Sequence, residues 1–187
     1  MVNSIIFGAP GAGKGTQCKM LSESLGLIHI STGVLIREEI AKGSEIGIRA
    51  KLIIEKGFLL DDETVSKIFL NSLKRHPDSP GFLFDGFPRT AKQTVMLENI
   101  LNDLNMELNF FIELTLPTDE AVKRLLKRAE IEGRSDDNLK TVKARFEEYN
   151  EKTAPVKDYY VKKGIYRSVD GAGKAEEVNL KLRSFFL

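Results

Sequence analysis

A chain of 187 residues with 42% apolar content has the material for one α/β domain with a sizeable core and room for a small inserted subdomain. Lys plus Arg number 28 against 27 Asp plus Glu, a balance that gives no overall field for nucleic acid or an anionic membrane, so any anion site must be local. No apolar run approaches the roughly 18 residues of a membrane helix, and the start of the chain has no basic flank before a long apolar stretch. The single cysteine, Cys18, excludes an internal disulfide and any multi-cysteine zinc cluster; the expectation is a cytoplasmic protein.

In chain order, short apolar runs at Asn3 to Phe7, Ile28 to Ile30, Phe82 to Phe84, Asn109 to Leu116 and Ile165 to Val169 read as strands. Helical patterns separate them, which favours a parallel sheet covered by crossover helices. Val65, Ile68, Phe69 and Leu73 form a core stripe at helical spacing, as do Val122, Leu125, Leu126 and Ala129. Further stripes run through Leu139, Val142, Phe146 and Tyr149, and through Ala175, Val178, Leu182 and Phe185. Thr32, Asp62 and Thr118 each precede a helical pattern and are expected as N-caps. A lone Cys18 on a helix reads as core, and His29 and His76 as structural or exposed. Residues 31 to 60 and 130 to 137 do not fit a plain strand-helix alternation.

Directly after the first strand comes Gly8-Ala9-Pro10-Gly11-Ala12-Gly13-Lys14-Gly15-Thr16, then a helical pattern. In that context glycines turn backbone N–H groups inward around phosphate oxygens, the new helix adds its positive end, and Lys14 adds a point charge. The bland reading is a glycine-rich turn capping a helix, but glycines so dense around a lysine favour a phosphate cradle. The residue after Lys14 is Gly15, and the hydroxyl that can approach a metal arrives one place later, at Thr16. Phe82-Leu83-Phe84-Asp85 is a buried strand ending in a carboxylate, suited beside such a cradle to orienting magnesium and its waters.

Gly8 to Thr16, Ser31-Thr32-Gly33 with Arg37, Asp85-Gly86-Phe87-Pro88-Arg89-Thr90 with Gln93, and Arg134 with Asp136-Asp137 together resemble the adenylate kinase family over nearly the whole chain. The resemblance implies a P-loop NTPase of the α/β class: a five-stranded parallel sheet flanked by helices, with residues 1–30, 61–124 and 138–187 as core. A helical insertion that binds the monophosphate would occupy residues 31–60, and a short lid residues 125–137. It implies reversible, Mg²⁺-dependent transfer of a phosphoryl group between ATP and AMP, giving ADP, by a monomer with no nucleic-acid or membrane partner.

By the same resemblance Thr32, Arg37, Phe58, Leu59, Leu60, Gly86, Phe87, Arg89 and Gln93 form the AMP side. Arginine forks suit its phosphate, and an amide can both donate to and accept from adenine. On the ATP side stand Gly11, Ala12, Gly13, Lys14, Gly15, Thr16, Arg124, Arg128 and Gly173, with Arg134 and Arg145 reaching both nucleotides. Without the resemblance, Arg124 and Arg128 among Lys123 and Lys127 would read as a solvated basic face. The catalytic set is Lys14, Arg89, Arg124, Arg134, Arg145 and Asp85, the last holding Mg²⁺ through water. Some members carry zinc in a longer lid; Ala129 to Asp137 leaves no room for one, so no structural zinc is expected. Val34 departs from the family, which commonly has aspartate there. The nearest alternative is a uridylate or cytidylate kinase, a group that tends to carry alanine in place of Thr32 and asparagine in place of Thr90. A nucleotide switch is the other, but the guanine-reading Asn-Lys-x-Asp segment does not occur in this sequence.

Overall fold

The computed structural model describes residues 1–186; Leu187, the last residue of the expected core, lies outside them. Five strands, β1 (Val2–Phe7), β2 (Ile28–Ser31), β3 (Gly81–Asp85), β4 (Phe110–Thr115) and β5 (Tyr166–Asp170), form one parallel sheet in the order β2-β3-β1-β4-β5. Their side chains alternate between two cores. Ile5, Phe7, Phe82, Phe84 and Phe111 face one side with Phe69, Leu97 and Tyr160, while Ile6, Leu83, Ile112 and Leu114 face the other with Cys18, Leu21, Val178 and Leu182. Both faces are covered, which is why the strands read as nearly continuous apolar runs. Each buried Phe or Leu contributes about 1.5–3 kcal/mol of hydrophobic stabilisation.

The helices are α1 (Lys14–Leu25), α2 (Thr32–Lys42), α3 (Glu45–Ile54), α4 (Asp62–Leu73), α5 (Ala91–Asp103), α6 (Thr118–Glu132), α7 (Leu139–Glu148), α8 (Val156–Lys162) and α9 (Ala175–Arg183). A 3₁₀ turn, Ser135–Asp137, joins α6 to α7, and a π turn, Tyr149–Thr153, follows α7. The awkward stretch 31 to 60 holds α2 and α3, and residues 125 to 132 continue α6 without a break. No helix among the described residues is long and apolar enough to cross a membrane.

Three cap expectations shift by one residue. Ser31 and Pro117 hold the cap positions before α2 and α6, neither with a side-chain cap bond. Before α4 the cap is Asp61, whose carboxylate accepts the Thr64 N–H at 2.9 Å. Adjacent aspartates made either one eligible, and Asp62 is used elsewhere. Leu139 is also corrected: it starts α7 on the surface, 67% exposed, while Val142 behind it is buried.

Topology fixes where a ligand can sit. Chain order reverses about β1, whose neighbours are β3 and β4, and the crevice beyond the C-terminal strand ends at such a switch point is the usual ligand site of an open α/β sheet. Ile6 pairs with Asp85 and Ser31 pairs with Asp85, so the loop after β1 and the ends of β2 and β3 meet there.

Candidate active site

The loop between β1 and α1 ends in Gly13, at φ 92° and ψ 11°. That left-handed turn admits glycine readily and delivers the chain into the first turn of α1. Lys14 folds back into the loop, its Nζ donating to the Gly8 carbonyl at 2.7 Å and the Ala9 carbonyl at 2.9 Å. Burial lowers its pKa to about 8; Asp85 opposes the shift, and Arg89, Arg145 and Arg128 add to it. The cradle is thus a concentration of positive charge with too little negative charge to balance it.

Asp85 closes β3 beside the cradle. Burial works against its charge, but His29, Lys14 and Arg89 outweigh that and hold its pKa below the usual value. Ser31 Oγ donates to Asp85 Oδ2 at 3.2 Å, and His29 Nε2 stands 3.4 Å from the same oxygen without hydrogen-bond alignment. A Cβ added at Gly15 would come 3.8 Å from Asp85 Oδ2, so the glycine keeps that space open. With the Thr16 hydroxyl lining the same cleft, the donors are hard oxygens that suit magnesium carrying several of its own waters.

Gly86 is the hub beyond Asp85. Its φ of +80° is left-handed, and an added Cβ would lie 2.7 Å from both Thr32 Oγ1 and Arg89 Nη2. Its carbonyl accepts from Thr32 Oγ1 at 2.8 Å and from Arg89 Nε at 2.8 Å. Thr90 caps α5, accepting the Gln93 N–H at 3.0 Å. Gln93 Oε1 accepts the Arg89 N–H at 2.7 Å, and Gln93 Nε2 donates to Asp62 Oδ1 at 2.8 Å. Asp62, expected as a cap, therefore positions the amide and also accepts from Thr90 Oγ1 at 3.0 Å.

Arg124 and Arg128 of α6, Arg134 just before the 3₁₀ turn and Arg145 of α7 each rest on a carboxylate. Arg128 makes a two-pronged contact with buried Asp137, at 2.6 and 2.8 Å, and Arg145 bonds the same carboxylate and Asp136. Arg134 pairs with Glu132 at 2.7 Å, and Arg124 with Glu120 at 3.0 Å and the Gly171 carbonyl at 3.1 Å. Far along the chain, buried Gln17 donates to the Ala175 carbonyl at 3.0 Å and accepts from Asn179 Nδ2 at 3.0 Å, lashing α1 to α9.

Two cavities adjoin here. Thr32, Arg37, Phe58, Leu59, Leu60, Gly86, Phe87, Arg89, Gln93 and Arg145 line the first. Gly11 to Thr16, Asp85, Arg124, Arg128, Arg134, Arg145 and Gly173 line the second. Of the residues expected on the AMP side, only Arg134 lies on the second cavity alone. Arg37, Arg89, Arg145 and Lys14, with Pro10 and Gly33, belong to both.

A sequence model described as adenylate kinase matches residues 6–165. The chain belongs to the adenylate kinase family. It is 43% identical over 178 residues to an adenylate kinase of Parabacteroides distasonis, covering 95% of this chain and 94% of that one. It is 44% identical to one of Leptospira biflexa over 178 residues, 95% and 96% of the two chains, and 40% identical to one of Thermus thermophilus over 180 residues, 96% and 94%. Sequence reasoning missed several residues around these cavities, Asp62 behind Gln93, His29 beside Asp85, and Glu148 and Tyr149 in the first cavity, and it named Ser31, which donates to Asp85, only as part of a motif. Among these only Asp62 left a signal, being one of two adjacent acids where a cap needs one. His76 is exposed, and Cys18 is buried in the core.

Proposed function

We propose how this chain performs the reaction of its family, the reversible transfer of a phosphoryl group between ATP and AMP to give two ADP. The observation that carries the reading is the shared wall: Lys14, Arg37, Arg89 and Arg145 face both cavities. A transferring phosphoryl group spreads charge over its equatorial oxygens and needs cations between two aligned phosphates rather than a covalent nucleophile.

In this scheme ATP lies in the second cavity with its phosphates in the Gly8 to Thr16 loop, Lys14 on the β and γ oxygens, and the Gly173 backbone beside the adenine. AMP lies in the first cavity, its base against Phe58, Leu59, Leu60 and Phe87 with Gln93, its phosphate on Arg37 and Arg89, and Thr32 and Gly86 shaping the floor. Asp85 would hold Mg²⁺ through water, and the ion would supply neutralisation of phosphate charge. Arg124, Arg128, Arg134 and Arg145 exchange their resting carboxylates for phosphate oxygens. Residues 31–60 act as the AMP-binding insertion and 125–137 as the lid, and their closure excludes water that would otherwise accept the phosphoryl group. The family resemblance supports a cytoplasmic monomer.

The test is to give the purified protein ADP and Mg²⁺ alone and follow the nucleotides by phosphorus NMR. ATP and AMP should appear in equal amounts, and removal of Mg²⁺ should stop the reaction. Intact ADP would overturn the reading, and a preference for UMP over AMP in a competition assay would overturn the acceptor.

A further inference from the structure

Behind the phosphate cradle, Cys18 of α1, His29 of β2 and Asp85 of β3 present one ligand atom each, and these atoms lie within 4.8 Å of one another. Three separate elements converge, so the grouping is set by the fold rather than by neighbours in sequence. We propose that Cys18, His29 and Asp85 form a site for a zinc-class divalent cation, distinct in ligand chemistry from the all-oxygen setting that suits magnesium.

The chemistry is selective. A thiolate and an imidazole favour zinc and its soft neighbours, whereas magnesium prefers oxygen and keeps its waters. Zinc bonds of about 2.3 Å to sulfur and about 2.0–2.2 Å to nitrogen and oxygen place tetrahedral ligands roughly 3.3–3.8 Å apart. His29 Nε2 and Asp85 Oδ2 stand at 3.4 Å already, so Cys18 Sγ needs to move by no more than about an ångström. The His29 Nε2 atom is shielded from solvent and faces Asp85 Oδ2 at 3.4 Å without hydrogen-bond alignment, a loose contact that a metal bond to both atoms would replace. Cys18 is fully buried and its thiol is held protonated by that burial. Metal binding releases this proton to solvent as the sulfur–metal bond forms. Three protein ligands leave the fourth position open, and since His29 and Asp85 line the second cavity, that position faces the cleft where nucleotide would lie.

Occupancy would take Asp85 away from magnesium, so zinc should inhibit turnover. That consequence rests on the proposed role of Asp85, whereas the binding itself does not. The experiment is a cobalt(II) titration of the metal-free protein, followed by absorption, on the wild type, Cys18→Ala and Cys18→Ser. The wild type should bind one equivalent with a sulfur-to-cobalt charge-transfer band and the intense visible bands of four-coordinate cobalt. Both variants, their fold checked by circular dichroism, should lose the charge-transfer band and bind at least tenfold more weakly. Zinc should displace the cobalt, and excess magnesium should not. No band in the wild type, or the same band in either Cys18 variant, overturns the site. A band without ATP formation from ADP leaves the site standing and removes the kinase reading; turnover insensitive to bound zinc removes Asp85 from the magnesium scheme alone.

Discussion

Replacing Asp137 with alanine tests how the arginines are held when no phosphate is present. The carboxylate is fully buried and receives Arg128 at 2.6 and 2.8 Å together with Arg145. Removing one partner of a buried ion pair costs about 3–5 kcal/mol where the remaining charge is sealed in. Here the side chains of Arg128 and Arg145 are 29% and 20% exposed, so water reaches them and the figure drops to about 3 kcal/mol. For a chain of this length that is roughly 6–12 °C in Tm. Burial lowers the pKa of Arg145, and Asp137 and Asp136 are the charges that oppose the shift; the variant leaves Asp136 alone to do so. Melting followed by circular dichroism, with and without saturating Mg·ADP, checks both halves of the reasoning. The apo variant should melt well below the wild type, and nucleotide should recover much of the gap because phosphates replace the lost anion. An apo Tm within about a degree of wild type would refute the idea that Asp137 neutralises this cluster.

Lys14→Met should lower turnover by at least about a hundredfold in a folded protein, the scale seen when a charge-stabilising donor is removed. Between its lowered pKa near 8 and the unfolded value of 10.5 the folded chain has released a proton that the unfolded chain keeps, so the apo fold gains stability as pH rises through that window. Phosphates should restore that charge, so ATP binding above about pH 8 should take up a proton and weaken by up to tenfold per pH unit, and calorimetry in buffers of different ionisation enthalpy should show uptake that Lys14→Met abolishes. Gly86→Ala places a Cβ 2.7 Å from Thr32 and Arg89 at a positive φ; about 1–3 kcal/mol of strain and a higher KM for AMP with KM for ATP little changed are expected from initial-rate kinetics. Phe69 is fully buried, its ring stacked 4.5 Å from Phe87 and edge-on at 5.0 Å to Phe84, so Phe69→Ala should cost about 3–5 kcal/mol in urea unfolding.

The sheet was legible because its inner strands β1, β3 and β4 are buried on both faces, which turns them into short apolar runs between turn residues; the edge strand β5 carries exposed Arg167 and Ser168 and reads less cleanly. The phosphate cradle was legible because backbone geometry demands glycine at fixed places next to a lysine. What escaped is chemistry settled by contacts between distant residues. Nothing local distinguishes Asp61 from Asp62; only the fold brings Thr90 and Gln93 to the second of them. Leu139 fits a helical stripe by spacing, but a helix start reached from a surface turn leaves its first apolar position uncovered. His29 looks like any strand residue until β3 is laid beside β2, with Asp85 at the neighbouring strand end.

The lash of Gln17 to Ala175 and Asn179 carries a consequence for how the protein is made. The loop that would grip phosphate stands directly before α1, yet that helix is braced by α9, whose Ala175 lies 158 residues after Gln17. During translation the core cluster that holds Leu21 of α1 gathers Leu83, Ile112 and Leu114 first and stays incomplete until Val178 and Leu182 arrive. A nascent chain stalled before residue 175 should therefore offer chaperones a hydrophobic surface and bind ATP poorly, although every residue of its phosphate loop is already present.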